Sequence, residues 1–245
     1  MFRRFTSVPN ALIVLLLAAG CATIQPRQVL VATYETALVE VARPAATMER
    51  WGAVTTITLS DSSRYHYEDK LIEVRMAAAY DRVWFAMSNK TDHSIKLIWD
   101  EVSFIDLDGQ LSRVMHQGVK YADRNASQPA SIIPARQTLT DVVLPNNRVT
   151  FDEGYYGVYY TRRAEWRHAL LIQPSYEFVD VSPSGTPLTD GADFRRRAEA
   201  MVGKRFGILI PLEIQGVVNE YTFWFEVTGV SVKGPDAIET VMRDV

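Results

Sequence analysis

The chain has 245 residues, 47% of them hydrophobic and 22% charged, with a formal net charge of −3. That balance excludes a disordered or membrane-embedded polypeptide and leaves room for one or two domains with a sizeable core. A mildly acidic chain also gives no reason to expect nucleic acid as a partner, because the phosphate backbone rewards basic patches.

At the N-terminus Arg3 and Arg4 precede an apolar run, Ala11–Ala19, and the small residues Ala18-Ala19-Gly20 lead into Cys21. Nine apolar residues are too few for a membrane-spanning helix, which needs roughly 20. They fit the hydrophobic region of an export signal, which runs about 7–15 residues. Cys21 is the only cysteine of the chain, so no internal disulfide exists and the thiol needs another explanation. Ala18-Ala19-Gly20-Cys21 resembles the bacterial lipobox, with Leu17 one step ahead of the position where that motif usually carries leucine. The resemblance implies cleavage before Cys21, lipidation there, and a membrane-anchored lipoprotein. Ala22 follows the cysteine, and by the same resemblance the destination is the outer membrane. Two other readings stay open, cleavage after Ala22 to release a soluble protein and an uncleaved anchor. Loss of residues 1–20 takes away two of the 26 basic residues and none of the 29 acidic ones, moving the net charge to −5. The expected organisation is a signal peptide over 1–20, a lipidated Cys21 with a tether over 21–50, and a β domain over 51–245.

Beyond the tether the hydrophobic period is two. Val83, Phe85 and Met87 alternate with Trp84, Ala86 and Ser88, and Ile95, Leu97 and Trp99 form a second run. The phase then slips at Asp100, which predicts a bulge. Asp108-Gly109 predicts a tight hairpin turn between Val102–Leu107 and Leu111–His116. Further strands are expected at Thr138–Leu144, Val158–Arg162, Ala169–Gln173 and Tyr176–Val181. A last hairpin pairs Arg205–Gln215 with Glu220–Val232, and Pro211 puts its first strand at an edge or a bulge. Between them Asp190 caps a helix with Phe194, Ala198, Met201 and Val202 on one stripe, Gly203 at its end, and Arg195, Arg196 and Arg197 in solvent. The expected fold is mainly β, an antiparallel immunoglobulin-like β-sandwich with one short helix near 190–203. Asn89-Lys90-Thr91-Asp92 followed by Ile95–Trp99 resembles the accessory Ig-like domains of exported bacterial proteins, where a polar turn joins two core strands.

Little in the sequence carries chemistry. No two of His66, His93, His116 and His168 stand three or four residues apart, so no local metal pair is present, and no cofactor is implied. Asp106-Leu107-Asp108-Gly109 starts like a calcium loop, but Leu111 and Arg113 occupy later ligand positions. Neither a nucleophile elbow nor a glycine-rich phosphate loop occurs. The aromatic stretch Asp152–Trp166 is the candidate surface: Tyr155, Tyr156, Tyr159, Tyr160 and Trp166 stand among Arg162 and Arg163. Tyr and Arg anchor binding interfaces, but the favoured reading is that one tyrosine face packs inside and the other covers the sheet. Trp224, out of phase with Phe223 and Phe225, is a second candidate, and the polar loop Gly118–Arg136 is another place for function. The expectation is a non-enzymatic envelope lipoprotein that binds or supports an envelope protein. The rival is an envelope hydrolase or carbohydrate-binding module.

Overall fold

A computed structural model describes residues 27–42, 55–58, 65–79, 81–157, 161–180 and 191–233. Cys21, Tyr159, Tyr160 and Asp190 lie outside the described residues, as do the leader and residues 43–54. The described residues are mainly β and antiparallel, with one α-helix among them, as the alternation predicts.

The strands are β1 (Arg27–Ala42), β2 (Thr55–Thr58), β3 (Tyr65–Glu68), β4 (Ile72–Ala78), β5 (Val83–Asn89), β6 (Ile95–Leu97), β7 (Ser103–Ile105), β8 (Leu111–Met115) and β9 (Ser131–Ile133). After β10 (Thr138–Pro145) come β11 (Val149–Asp152), β12 (Tyr155–Tyr156), β13 (Thr161–Arg162), β14 (Glu165–His168) and β15 (Ser175–Asp180). Helix α1 (Ala192–Glu199) then leads to β16 (Arg205–Ile214) and β17 (Val217–Lys233). Thirteen strands form one sheet with the order β15-β1-β17-β16-β7-β8-β10-β5-β4-β3-β2, while β6 joins β16 to β9.

That sheet curls until its ends face each other as the two layers of a sandwich. Tyr67 of β3 meets Phe223 of β17 edge-on at 5.9 Å, and Tyr65 meets Phe225 at 5.7 Å, although these strands are far apart along the hydrogen-bonded order. The inward residues expected of the last hairpin, Phe206 through Ile214 and Tyr221 through Val227 at alternate positions, are buried in this core. Gln215 and Gly216 turn the chain between them with φ of 51° and 76°, the pair of positive values that a two-residue hairpin requires.

Four expectations need correction. Residues 27–42, read as part of a tether, form a strand inserted between β15 and β17. Pro211 is not at an edge, since β16 has strands on both sides. It falls in the gap between β7, which pairs with residues 207–209, and β6, which pairs with 212–214, so its missing N–H breaks no ladder there. Its carbonyl still accepts from Ile98 N at 3.3 Å. The phase slip near Asp100 is a 3-10 turn over Trp99–Glu101 rather than a bulge. Ala169–Gln173 is not a strand: Ala169 closes the preceding hairpin by donating to Arg148 O at 2.7 Å, and Leu171 is buried without strand pairing.

Helix α1 lies on β1 and β15, where Phe194 and Ala198 pack with Leu30, Ala32 and Val179. Gly191 occupies its N-cap position, and Arg195, Arg196 and Arg197 are exposed. The loop 118–136 is tied down rather than free. Asp100 accepts from Ser127 and from Gln128 N, Arg113 bridges Asp100 at 2.5 Å, and β9 adds a short strand.

Candidate functional site

Residues 149–168 form a hairpin arm built from two small sheets of its own. In the root, β11 pairs with β14 in the register Val149↔His168 to Asp152↔Glu165; nearer the tip, β12 pairs with β13 as Tyr155↔Arg162 and Tyr156↔Thr161. Directly paired residues share a face. Phe151 and Trp166 therefore make an aromatic side, while Asp152, Glu165 and Arg167 make a charged one. Arg162 and Arg167 pair with Asp152 at 2.7 and 3.0 Å. The Gly154 N–H and these two arginines hold the Asp152 carboxyl below the usual carboxylate range.

Tyr155 is 52% exposed and Tyr156 80% exposed, so neither tyrosine packs in the core. Arg163 is also exposed and makes no ion pair among the described residues. Trp166 behaves differently. It is half-buried in the root, 5.1 Å from Phe151 and 5.9 Å from Tyr121, with the Arg124 guanidinium 5.2 Å from its ring. Trp224 is not brought to the arm: it sits on β17, separated from β10 by β16, β7 and β8. Its ring covers Gly207, where an added Cβ would lie 2.9 Å from the indole, and this packing accounts for its place outside the core phase.

Gly154 makes the arm's middle possible. Its φ is +77°, and a Cβ there would fall 2.4 Å from Arg162 O and 2.7 Å from Ala164 N, both rigid backbone atoms. Gly154→Ala is expected to cost about 1–3 kcal/mol locally. Hydrogen exchange over 149–168 should rise while the main unfolding transition hardly moves. Unchanged protection of the arm would contradict this.

A polar hinge fixes the root to the sheet. His168 Nδ1 lies 2.8 Å from Asp81 Oδ2, Arg82 donates to the same oxygen from Nη2 at 2.6 Å and to Oδ1 from Nε at 2.8 Å, and Tyr121 meets the His168 ring edge-on at 4.8 Å. The hydrogen bond from Arg82 holds the Asp81 carboxyl below its ordinary value. A depressed folded value means stability that is present above the unfolded value, about 3.9, and lost as pH falls through the folded one. Acidification below about pH 4 should therefore loosen the root. Asp81→Asn should remove that acid step in the exchange of residues 165–168, and an identical acid profile in the variant would refute the assignment.

A second pair, His116 and Asp141, sits under the loop after β8. His116 Nδ1 is 3.2 Å from Asp141 Oδ2 and its ring stacks on Trp99 at 4.3 Å. The other oxygen of Asp141 accepts from Gln117 N and Val142 N, both at 2.7 Å. No serine, threonine or cysteine bonds to His116 or His168 among the described residues, so neither pair is a base set against a nucleophile. Both act as braces. Asp106 is likewise committed to its turn, its Oδ1 accepting from Asp108 N and Gln110 N. Among the described residues no three of His, Cys, Asp or Glu gather as a metal site, and no helix is long and apolar enough to cross a membrane.

Sequence reasoning missed Trp84. It is 43% exposed on the outer face of β5, between a groove of about 430 Å³ and a smaller hollow of about 270 Å³ beside the arm's root. The signal was present, because Trp84 alternates with the buried Val83 and Phe85. Set against known proteins, the chain matches no family, no curated sequence and no solved structure.

Proposed function

We propose that this chain is a non-catalytic lipoprotein, anchored through Cys21 at the outer membrane, that binds another protein of the cell envelope through the tip of the 149–168 arm. The observation that carries the contact is the exposure of Tyr155 and Tyr156 on an arm that also exposes Arg163, which makes no ion pair among the described residues. Large aromatic side chains left in water on a hairpin with rigid roots supply the contact area that interfaces use, at low cost in side-chain entropy. The anchor rests on the lipobox-like Ala18-Ala19-Gly20-Cys21. An envelope hydrolase is less favoured, because the two histidine–carboxylate pairs are spent on backbone and arginine partners.

The test is a photo-crosslinking residue at position 156 in living cells, with the same residue at the exposed Phe178 of β15 as control. The expected result is a discrete adduct from position 156 that is lost when Tyr155→Ser and Arg163→Ser are combined, and that position 178 does not give. No adduct from position 156, or the same adduct from both positions, would refute the arm as the contact.

A further inference from the structure

We infer that the outer face of β3-β4-β5-β10 carries a binding site for a neutral sugar, with Trp84 as its stacking platform. This site is separate from the arm and stands or falls without it. The register places His66, Arg75, Ala86 and Thr140 in one row across four adjacent strands, because His66 pairs with Arg75, Arg75 with Ala86 and Ala86 with Thr140. The next row brings Ala77 against Trp84. Two alanines thus make a floor between longer side chains, and the result is the groove of about 430 Å³. A volume of that size suits a ligand of one or two rings.

The chemistry of the lining selects the class. Trp84 is 43% exposed and offers an indole face that a core position would have hidden. A pyranose ring has one face of C–H groups that packs on such a surface and a rim of hydroxyls that seek partners. Thr140 and His66 line the groove and carry a hydroxyl and an imidazole of that kind. Charge argues against an anionic ligand. Arg75 donates to Glu73 Oε1 from Nη2 at 2.8 Å and Nε at 3.1 Å, and His66 Nε2 lies 3.2 Å from the same oxygen. Arg75, which lines the groove, is therefore neutralised in place, which leaves hydrogen-bonding capacity without net charge among the described lining residues. A peptide strand is disfavoured as well. Both β4 and β5 have paired neighbours on each side, so the groove presents no open edge for strand addition.

The experiment is an amide-resolved NMR titration of the purified protein with cellobiose and, separately, N,N′-diacetylchitobiose, up to about 10 mM. Saturable shifts at Ala77, Ala86 and Thr140 are expected with at least one of the two. Trp84→Ala should weaken that binding about tenfold or more. Ala86→Leu, which fills the floor and leaves the indole in place, should do the same, and Trp224→Phe should change nothing. Thermal melts of each variant establish that it is folded. Absence of shifts in that row with both sugars would overturn the proposal, and so would equal affinity in folded Trp84→Ala.

Discussion

Asp69→Ala should lower the unfolding free energy by about 3 kcal/mol or more, the first of the two largest effects that the structure implies. Asp69 is 8% exposed and holds the sandwich together at a polar point inside an apolar core. Its Oδ2 accepts from Tyr67 at 2.9 Å and from Tyr221 at 3.0 Å, hydroxyls on β3 and β17 that belong to opposite layers. Its Oδ1 accepts from Leu71 N at 2.7 Å and Ile72 N at 2.9 Å, closing the turn into β4. Alanine removes the acceptor of all four bonds at once, and buried polar groups that lose a partner forfeit their desolvation cost. Asp69→Asn keeps one carbonyl oxygen for the two N–H groups and can donate to the hydroxyls, so it should cost clearly less. Tyr67→Phe and Tyr221→Phe each remove one bond and should cost about 1 kcal/mol. Equilibrium denaturation of the four variants decides the matter. An alanine variant no worse than either phenylalanine variant would show that Asp69 does not link the layers.

Trp99→Ala is the second, with an expected loss of about 3–5 kcal/mol. Trp99 is 1% exposed, donates from Nε1 to Ser131 Oγ at 2.8 Å, stacks on His116, and lies 6.2 Å from Phe85. It stands at the 3-10 turn where the chain passes from β6 to β7, so its removal opens a cavity where the sheet curls. Trp99→Phe retains an aromatic ring and loses the bond to Ser131, and should recover much of the loss. Chemical denaturation with an unchanged m-value would assign the effect to stability alone. A shift of less than about 1 kcal/mol for alanine would mean that the site collapses around the gap.

Which parts of this fold the sequence disclosed follows from how burial is distributed. In β5 and β17 one face meets the core and the other does not, and the alternation is plain in the residues. β1 lacks that signature for two reasons. Near its start both faces are covered, Leu30 and Ala32 by the helix layer and Val31, 1% exposed, on the opposite side. Farther along, its register with β17 shifts between Glu35 and Thr36 and again between Leu38 and Glu40, so its apolar residues change phase twice. Asp108-Gly109, by contrast, is a short-range signal, and Gly109 takes φ +78° in the turn between β7 and β8; the last hairpin turns at Gln215-Gly216, earlier than the expected strand bounds of 205–215 and 220–232.

The candidate surfaces divide along the same line. Tyr155 and Tyr156 are neighbours on a short strand and so point to opposite sides, and with arginines close by a core position for both was implausible from sequence. Trp166 carried the same composition, yet Tyr121, Phe151 and Arg124 box it into the root. Nothing local foretells that, since Tyr121 and Arg124 come from the loop after β8. The Trp84 groove is harder still. Its lining depends on three strand registers at once, and no spacing along the chain brings His66 beside Arg75 and Thr140.

The proposal that this is an anchored envelope protein depends on Cys21, and the intact mass of the protein together with membrane fractionation tests it most directly. Wild type and Cys21→Ser are compared in a Gram-negative host. The expected result is a wild-type chain that begins at Cys21, carries diacylglycerol and sediments with the outer membrane, while Cys21→Ser loses the lipid mass and leaves that fraction. A wild-type chain that starts after Ala22 or keeps its leader, with no lipid mass and a distribution identical to that of Cys21→Ser, would contradict it.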